Sequence, residues 1–342
     1  LENKYSMNKK YVIVFVFICA VQFLLVVFLG VRIASKTNNF TSFPRRIWMI
    51  PQSKDSVVLP QVSTLTYYYE PKPLSMPAYD LNFVGVNKKV IHTINADGLN
   101  ERYDYPVTKS DGVYRIIALG DSFTEGALVD TKDNWTEQLE DMLNNSLRCT
   151  TISKFEVINL GVAGYDMEYS LERFKRKGLQ YNPDLVLFFA GQDDFDFPNE
   201  LLLGKVHRLD AEFAASPERL KKYQDNGDMY PSYTLASQEF TKEQGDGMIN
   251  QILKDEFHDL NELMNIVPGK FVIMPYHRLP DTMLTVIQAY VGDHNNTYYF
   301  PQVGVFDRFK DSHPTPTGHA TIARYFFDSL PQANIIPCDE LK

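Results

Sequence analysis

From Val113 the chain alternates short apolar runs with amphipathic stretches, and this alternation restricts the fold more than any other feature. YRIIAL (114–119), FEVINL (155–160), DLVLFFA (184–190) and KFVIMPY (270–276) have the length and β-branched or aromatic content of strands. A fifth short strand is expected near YYFPQVGVF. Between them, NWTEQLEDMLNN places Trp135, Leu139, Met142 and Leu143 on one helical face, and MEYSLERFKRKG places Leu171 and Phe174 inward with Gly178 as its stop. GMINQILKDEFHDLNELMN forms a third helix, and TGHATIARYFFDSL (317–330) closes the unit with Ile322, Ala323, Phe326 and Leu330 inward. DLVLFFA is apolar on both faces, as a central parallel strand covered by helices must be. The expected fold is therefore α/β: a three-layer α/β/α sandwich on a five-stranded parallel sheet, spanning 113–332, with 333–342 as a tail. A polar interval at about 195–243 exceeds the usual βα connection and reads as an insert, a candidate lid or recognition element.

The amino-terminal third differs. Tyr11 to Val31 carries no charge and is long enough to cross about 30 Å of hydrocarbon as a helix. It predicts a transmembrane anchor over 11–34, after a cytoplasmic stub at 1–10 that holds Lys9 and Lys10, and it places everything beyond Arg32 outside the cytoplasm. A cleaved signal peptide is the competing reading, but its apolar region is shorter, about 7–15 residues. Residues 35–112, rich in Pro, Asn, Ser and Tyr, read as a membrane-proximal segment of short strands and loops. Its NADGLNERYDYP portion either rests on the main unit near the site or acts as a spacer.

With 34 basic against 43 acidic side chains the formal charge is -9, which repels a phosphate backbone and excludes nucleic acid as a partner. Of the three cysteines, Cys19 lies in the apolar run, and Cys149 and Cys338 lie in the exported part, either paired or separate. No Cys/His spacing suits a metal, and nothing suggests a cofactor. Nothing in the sequence fixes an oligomeric state.

Ligands of such sheets bind beyond the carboxyl ends of the strands. The residues that follow the apolar runs are Gly120-Asp121-Ser122, then Gly161-Val162-Ala163-Gly164, then Gly191-Gln192-Asp193-Asp194, and finally, after the fifth strand, Asp311-Ser312-His313-Pro314. All four groups fall on one rim. In this order and context they resemble the SGNH hydrolases, also called GDSL lipases and esterases, from about Val113 to Leu330. GDSFTEG carries the first block, NLGVAG the second, GQDD the third and KDSHP the last, with Gly318 in the following helix. NADGLNERYDYP also resembles the leader of bacterial membrane-anchored members of the family. Two positions depart from the pattern: Asp193 stands where the family has asparagine, and Lys310 stands three before His313, with Asp311 two before it.

The resemblance implies a flavodoxin-like fold and acyl transfer through Ser122 as nucleophile and His313 as base. Asp311, or failing that Asp307, would orient the imidazole. The backbone N–H groups of Ser122 and Gly164 would form an oxyanion hole, with the residue at 193 as third member and Asp121, Gln192 and Asp194 as possible supports. The structural alternatives are plain ones: Ser122 as a turn cap, His313 as a loop residue before a Pro-initiated helix, Asp193 and Asp194 as solvated turn acids, His277 as structural or solvent-facing, and Tyr165 and Phe195 as packing residues. The resulting expectation is a membrane-anchored, extracytoplasmic serine esterase that removes a small acyl group, such as acetyl, from a cell-surface carbohydrate or lipid. Its alternatives are an O-acetyltransferase on a surface glycan and an inactive scaffold of the same fold, the latter motivated by Asp193 and Lys310.

Overall fold

The computed structural model of the protein describes residues 56–59, 62–191, 193–196, 199–226, 231–276, 279–301, 304–338 and 340–341. The expected stub, the span at 11–34 and the first part of the membrane-proximal segment lie outside the described residues, as do Gln192 and His277. Among the described residues no helix is long and apolar enough to cross a membrane.

Four short strands come first: β1 (Ser56–Val58), β2 (Tyr69–Pro71), β3 (Ala78–Asp80) and β4 (Lys89–Ile91), joined as two antiparallel pairs. The central sheet follows, with β5 (Val113–Leu119), β7 (Lys154–Asn159), β8 (Leu185–Ala190), β9 (Lys270–Pro275) and β10 (Thr297–Tyr299). All its neighbours pair in parallel in the order β10-β9-β8-β5-β7. This is the doubly wound order whose switch point lies beside the first strand, so a crevice opens beyond the end of β5.

The strand pleat sorts the core. Leu185, Leu187 and Phe189 face the cluster that holds Trp135, Leu139 and Leu143 of one helix, Trp135–Ser146, and Ile322, Phe326 and Leu330 of another, Pro316–Gln332. Val186, Phe188 and Ala190 face the opposite cluster, with Met167 and Leu171 of the helix Met167–Arg173, Leu260 and Leu263 of Pro231–Ile266, and Ile287 of Asp281–Gly292. Period-two burial on a strand covered from both sides gives this division directly.

Several expectations need correction. The polar interval is helical: Asn199–Ala215 and Pro217–Asp225 lead into Pro231–Ile266, so the expected insert has no boundary at 243 and merges with the helix that follows. Gly178 does not stop its helix. The chain passes through a π-helical turn at Phe174–Gly178 and a 3-10 turn, and it ends at Asn182 with φ 47, just before Pro183. Gly178 is instead a contact residue, because a Cβ there would lie 2.2 Å from the Phe174 ring. Of the two readings of NADGLNERYDYP, the one in which it rests on the main unit holds: Leu99 and Tyr105 belong to the core, and Arg102 pairs with Glu137 and Asp141.

Cys149 and Cys338 form a disulfide with a Cα separation of 4.6 Å. Beside it β11 (Glu340–Leu341) pairs with β6 (Leu147–Arg148), so the carboxyl-terminal tail is fastened to the domain.

Candidate active site

The first block turns sharply out of β5. Asp121 caps the four-residue helix α1 (Ser122–Glu125): its carboxylate accepts from Phe123 N at 2.8 Å, and its carbonyl accepts from Thr124 N and Glu125 N at 3.0 and 2.9 Å. The first N–H groups of a helix have no intrahelical acceptor. Here those of Phe123 and Thr124 are taken by Asp121, Glu125 N makes the first regular bond of the helix to the same carbonyl, and the Ser122 N–H has no acceptor among the described residues.

The last block brings the base to Ser122 across 191 positions of sequence. His313 Nε2 lies 2.8 Å from Ser122 Oγ, and its Nδ1 lies 2.9 Å from Asp311 Oδ2. An ionised carboxylate only accepts, so the proton of the neutral imidazole sits on Nδ1 and Nε2 accepts the serine O–H. Asp311 holds the histidine twice, since Oδ1 also accepts from His313 N at 3.1 Å. The turn that allows this puts Ser312 at φ 82, a left-handed conformation uncommon for a residue with a Cβ. Both side chains are largely buried, 7% exposed for His313 and 4% for Asp311. Asp307, the second expected acid, is turned elsewhere: its Oδ2 accepts from Thr315 Oγ1 at 2.7 Å, and that hydroxyl in turn caps the helix Pro316–Gln332. Its place is structural.

Behind the histidine lies an aromatic wall. Phe123 is 5.0 Å from the His313 ring and stacks on Tyr276 at 4.3 Å, while the Tyr276 hydroxyl donates to Asp121 Oδ2 at 3.0 Å. Burial raises the Asp121 carboxyl above its ordinary range, against the Phe123 N–H, the His313 charge and the Tyr276 hydroxyl, which lower it. Tyr276 also explains Gly191, where a Cβ would come within 1.8 Å of the tyrosine oxygen.

The second block is a loop fixed at nearly every residue. Asn159 Oδ1 accepts from Gly161 N at 2.9 Å, Val162 N donates to Gly120 O at 3.2 Å, and Ala163 N donates to Glu125 Oε2 at 3.0 Å. The Tyr69 hydroxyl donates to Ala163 O at 2.6 Å, and Gly164 follows at φ 79, where glycine is the least strained choice. Of the third block, Asp194 is fully buried and accepts from Gly191 N at 2.5 Å, so it ties its own loop and is no solvated acid. Asp193 begins the short helix Asp193–Asp196. Tyr165 and Phe195 are fully enclosed, the latter stacked on Phe257 at 5.1 Å, as packing residues are.

Two residues of this neighbourhood escape a reading of the sequence. Glu125 is buried beneath the second-block loop, and desolvation pushes its carboxyl up to about 7, opposed by the Ala163 N–H and Arg173. Tyr69 lies in what reads only as a β-prone run. The nearest signal for Glu125 is its place inside GDSFTEG, and Tyr69 has none. His319, also buried, accepts from Trp135 N at 3.2 Å, and desolvation drives its pKa down to about 3, so it stays neutral behind the site. Among the described residues no group of three or more His, Cys, Asp or Glu is arranged to hold a metal ion.

A doubly wound sheet with a Ser-His-Asp chain at its switch point defines a serine-hydrolase architecture. The family model of the GDSL-like lipase/acylhydrolases matches residues 116–326, more than half of the chain, and the chain belongs to that family of ester-bond hydrolases. Solved structures similar to it include TesA, at 15% identity with a TM-score of 0.39, covering 64% of this chain and 98% of that one. The psychrotrophic esterase EstA of a Pseudoalteromonas species, inhibited by monoethylphosphonate, is 15% identical with a TM-score of 0.41, covering 65% and 99%. A Clostridium thermocellum family 3 carbohydrate esterase is 13% identical with a TM-score of 0.38, covering 65% and 96%. A comparison with curated proteins finds no match.

Proposed function

We propose that this hydrolase is a membrane-anchored serine esterase that removes a small acyl group, such as acetyl, from a carbohydrate or lipid outside the cytoplasm. The observation that carries the chemistry is the unbroken chain Ser122 Oγ to His313 Nε2 at 2.8 Å and His313 Nδ1 to Asp311 Oδ2 at 2.9 Å. In it Ser122 Oγ attacks the ester carbonyl as its proton passes to Nε2, and Asp311 stabilises the imidazolium that forms. The carbonyl oxygen, now an oxyanion, is received by the N–H groups of Ser122 and Gly164. The intermediate collapses as His313 returns the proton to the departing alcohol, leaving an acyl-Ser122. Water, deprotonated by the same histidine, then releases the acid and restores Ser122.

The location rests on the uncharged run at 11–31 with Lys9 and Lys10 before it, and the Cys149–Cys338 disulfide supports it, because disulfides persist in oxidising compartments. The substrate class follows from that location and from the acyl chemistry. The inactive-scaffold alternative fits the geometry poorly, since a scaffold has no need of a serine, an imidazole and a carboxylate in hydrogen-bonded line.

The test is hydrolysis of p-nitrophenyl acetate by the full chain and by Ser122→Ala. Turnover by the native chain, with Ser122→Ala at the buffer rate, supports the esterase. Equal rates for the two would overturn it. Adding a glycan acceptor separates hydrolysis from transfer, through acetate released against acetyl gained by the sugar.

A further inference from the structure

Residues 56–112 lie before the part of the chain that matches the family model, yet one of their side chains reaches the oxyanion loop. Tyr69, on β2, is 3% exposed, and its hydroxyl donates to Ala163 O at 2.6 Å. That oxygen belongs to the same peptide unit as the N–H of Gly164. A trans peptide is planar, with its C=O and N–H pointing in opposite directions. A donor that fixes the Ala163 carbonyl therefore also fixes where the Gly164 N–H is aimed.

The attachment is reciprocal. The Tyr165 hydroxyl donates back to Tyr69 O, so β2 is stapled to the loop on both sides of Gly164. The Tyr69 and Tyr165 rings meet edge to face at 5.3 Å, which fixes the phenol without a further polar contact. The preceding peptide is held independently, with Ala163 N on Glu125 Oε2 at 3.0 Å. Rotating the Ala163–Gly164 peptide would thus break the Tyr69 bond first. Burial holds the Tyr69 phenol well above its ordinary pKa, so it remains a donor throughout the working range of an imidazole base. Tyr69 is itself positioned from the far side: Thr66 N and Tyr67 N donate to Glu200 at 2.7 and 3.2 Å, and the Tyr67 ring stacks on His207 at 4.9 Å, which ties this segment to the helix Asn199–Ala215.

We infer that Tyr69 is a positioning residue of the oxyanion hole, supplied by the amino-terminal segment, and that it aims the Gly164 N–H at the developing oxyanion. The inference rests on the esterase reading and on Gly164 as a donor. Its effect belongs to the transition state, because an ester carbonyl in the ground state gains less than an oxyanion from an aligned N–H.

The experiment compares the full native chain with Tyr69→Phe, which keeps the ring and removes only the hydroxyl. Tyr105→Phe serves as a control, since it removes another buried hydroxyl that bonds to Glu140 and Glu101 and not to the Ala163–Gly164 peptide. Removing an oxyanion donor outright costs about 10²–10³ in kcat, so misaiming one is expected to lower kcat by roughly tenfold or more with KM little changed. Phenylboronic acid, whose boron takes the Ser122 oxygen to give a tetrahedral anion, should bind Tyr69→Phe more weakly by a similar factor. p-Aminophenylalanine at position 69 restores a donor and should recover most of kcat. If Tyr69→Phe proves too unstable to assay, p-aminophenylalanine and the space-filling non-donor 4-fluorophenylalanine at the same position make the same comparison.

A kcat for Tyr69→Phe, or for the 4-fluorophenylalanine form, equal to that of Tyr105→Phe would overturn the inference while leaving a Ser122-dependent esterase intact. A loss common to both tyrosine variants, following their melting temperatures, would overturn it too by showing a structural role only. If the native chain shows no Ser122-dependent turnover at all, the esterase reading itself fails and the positioning role falls with it. The Ser122→Ala arm separates that result from the others.

Discussion

Replacing Glu125 by glutamine should change how stability depends on pH, by an amount that the structure sets. The Glu125 carboxyl is buried, accepts from Ala163 N, and is pushed up from 4.5 to about 7. Below about pH 4.5 it is protonated in both folded and unfolded chains, and it costs the fold nothing. Between there and about 7 the unfolded chain loses this proton while the folded chain keeps it, so the folded state becomes progressively less stable as pH rises. Above about 7 both forms are ionised and the loss is complete. The gap corresponds to about 3 kcal/mol at about 1.4 kcal/mol per pH unit. Glutamine never ionises, so its own fit in the site adds an offset that does not vary with pH. Urea melts of the native chain and of Glu125→Gln at several values from pH 4 to 8 measure the difference between them. The variant should gain roughly 3 kcal/mol relative to the native chain across that window, with most of the gain between 5 and 7. Curves that run parallel would refute the reasoning, because the Glu125 carboxyl would then titrate alike in both states.

Asp311→Asn should keep the fold and lower kcat by up to about 10⁴, since an amide no longer fixes the Nδ1–H tautomer of His313; a loss below tenfold would mean that the imidazole is oriented by something else. Asp193→Asn, which restores the family asparagine, should raise the maximal rate on p-nitrophenyl acetate, because an amide donates to an oxyanion that a carboxylate repels; an unchanged rate would place the donor elsewhere. Cys338→Ser should lower stability by about 2–4 kcal/mol in a urea melt and leave KM unchanged, because the bridge to Cys149 spans 189 positions and Cys149 precedes β7, whereas Ser122 follows the end of the neighbouring parallel strand β5. Two alkylatable thiols at 149 and 338 in the native chain, denatured without reductant, would show that the bridge does not form.

The parts of this protein that a sequence reveals are those whose pattern repeats. Leu185–Ala190 could only be a buried strand, and the four blocks fall at strand ends, where a parallel sheet gathers its ligands. The choice between Asp311 and Asp307 needed the turn at Ser312, whose φ of 82 brings Asp311 under the imidazole. The helical structure from 199 up to the expected helix GMINQILKDEFHDLNELMN is hidden by polar faces and by Gly204 and Gly245, which mimic loop composition. Asp281–Gly292 shows the opposite fault, since DTMLTVIQAYVG is apolar enough to suit either period. Gly178 reads as a helix stop because a stop and a close ring contact both select glycine. Tyr69 and Glu125 act on backbone atoms of a loop 94 and 38 positions away, and no local pattern records such a bond.

Labelling of the full chain with a fluorophosphonate probe, followed by location of the adduct by peptide mass spectrometry, tests most directly that Ser122 is an activated nucleophile. A single adduct on Ser122, absent from His313→Ala, is the expected result. Full-chain protein that hydrolyses p-nitrophenyl acetate yet carries the adduct on another residue, or none, would contradict it.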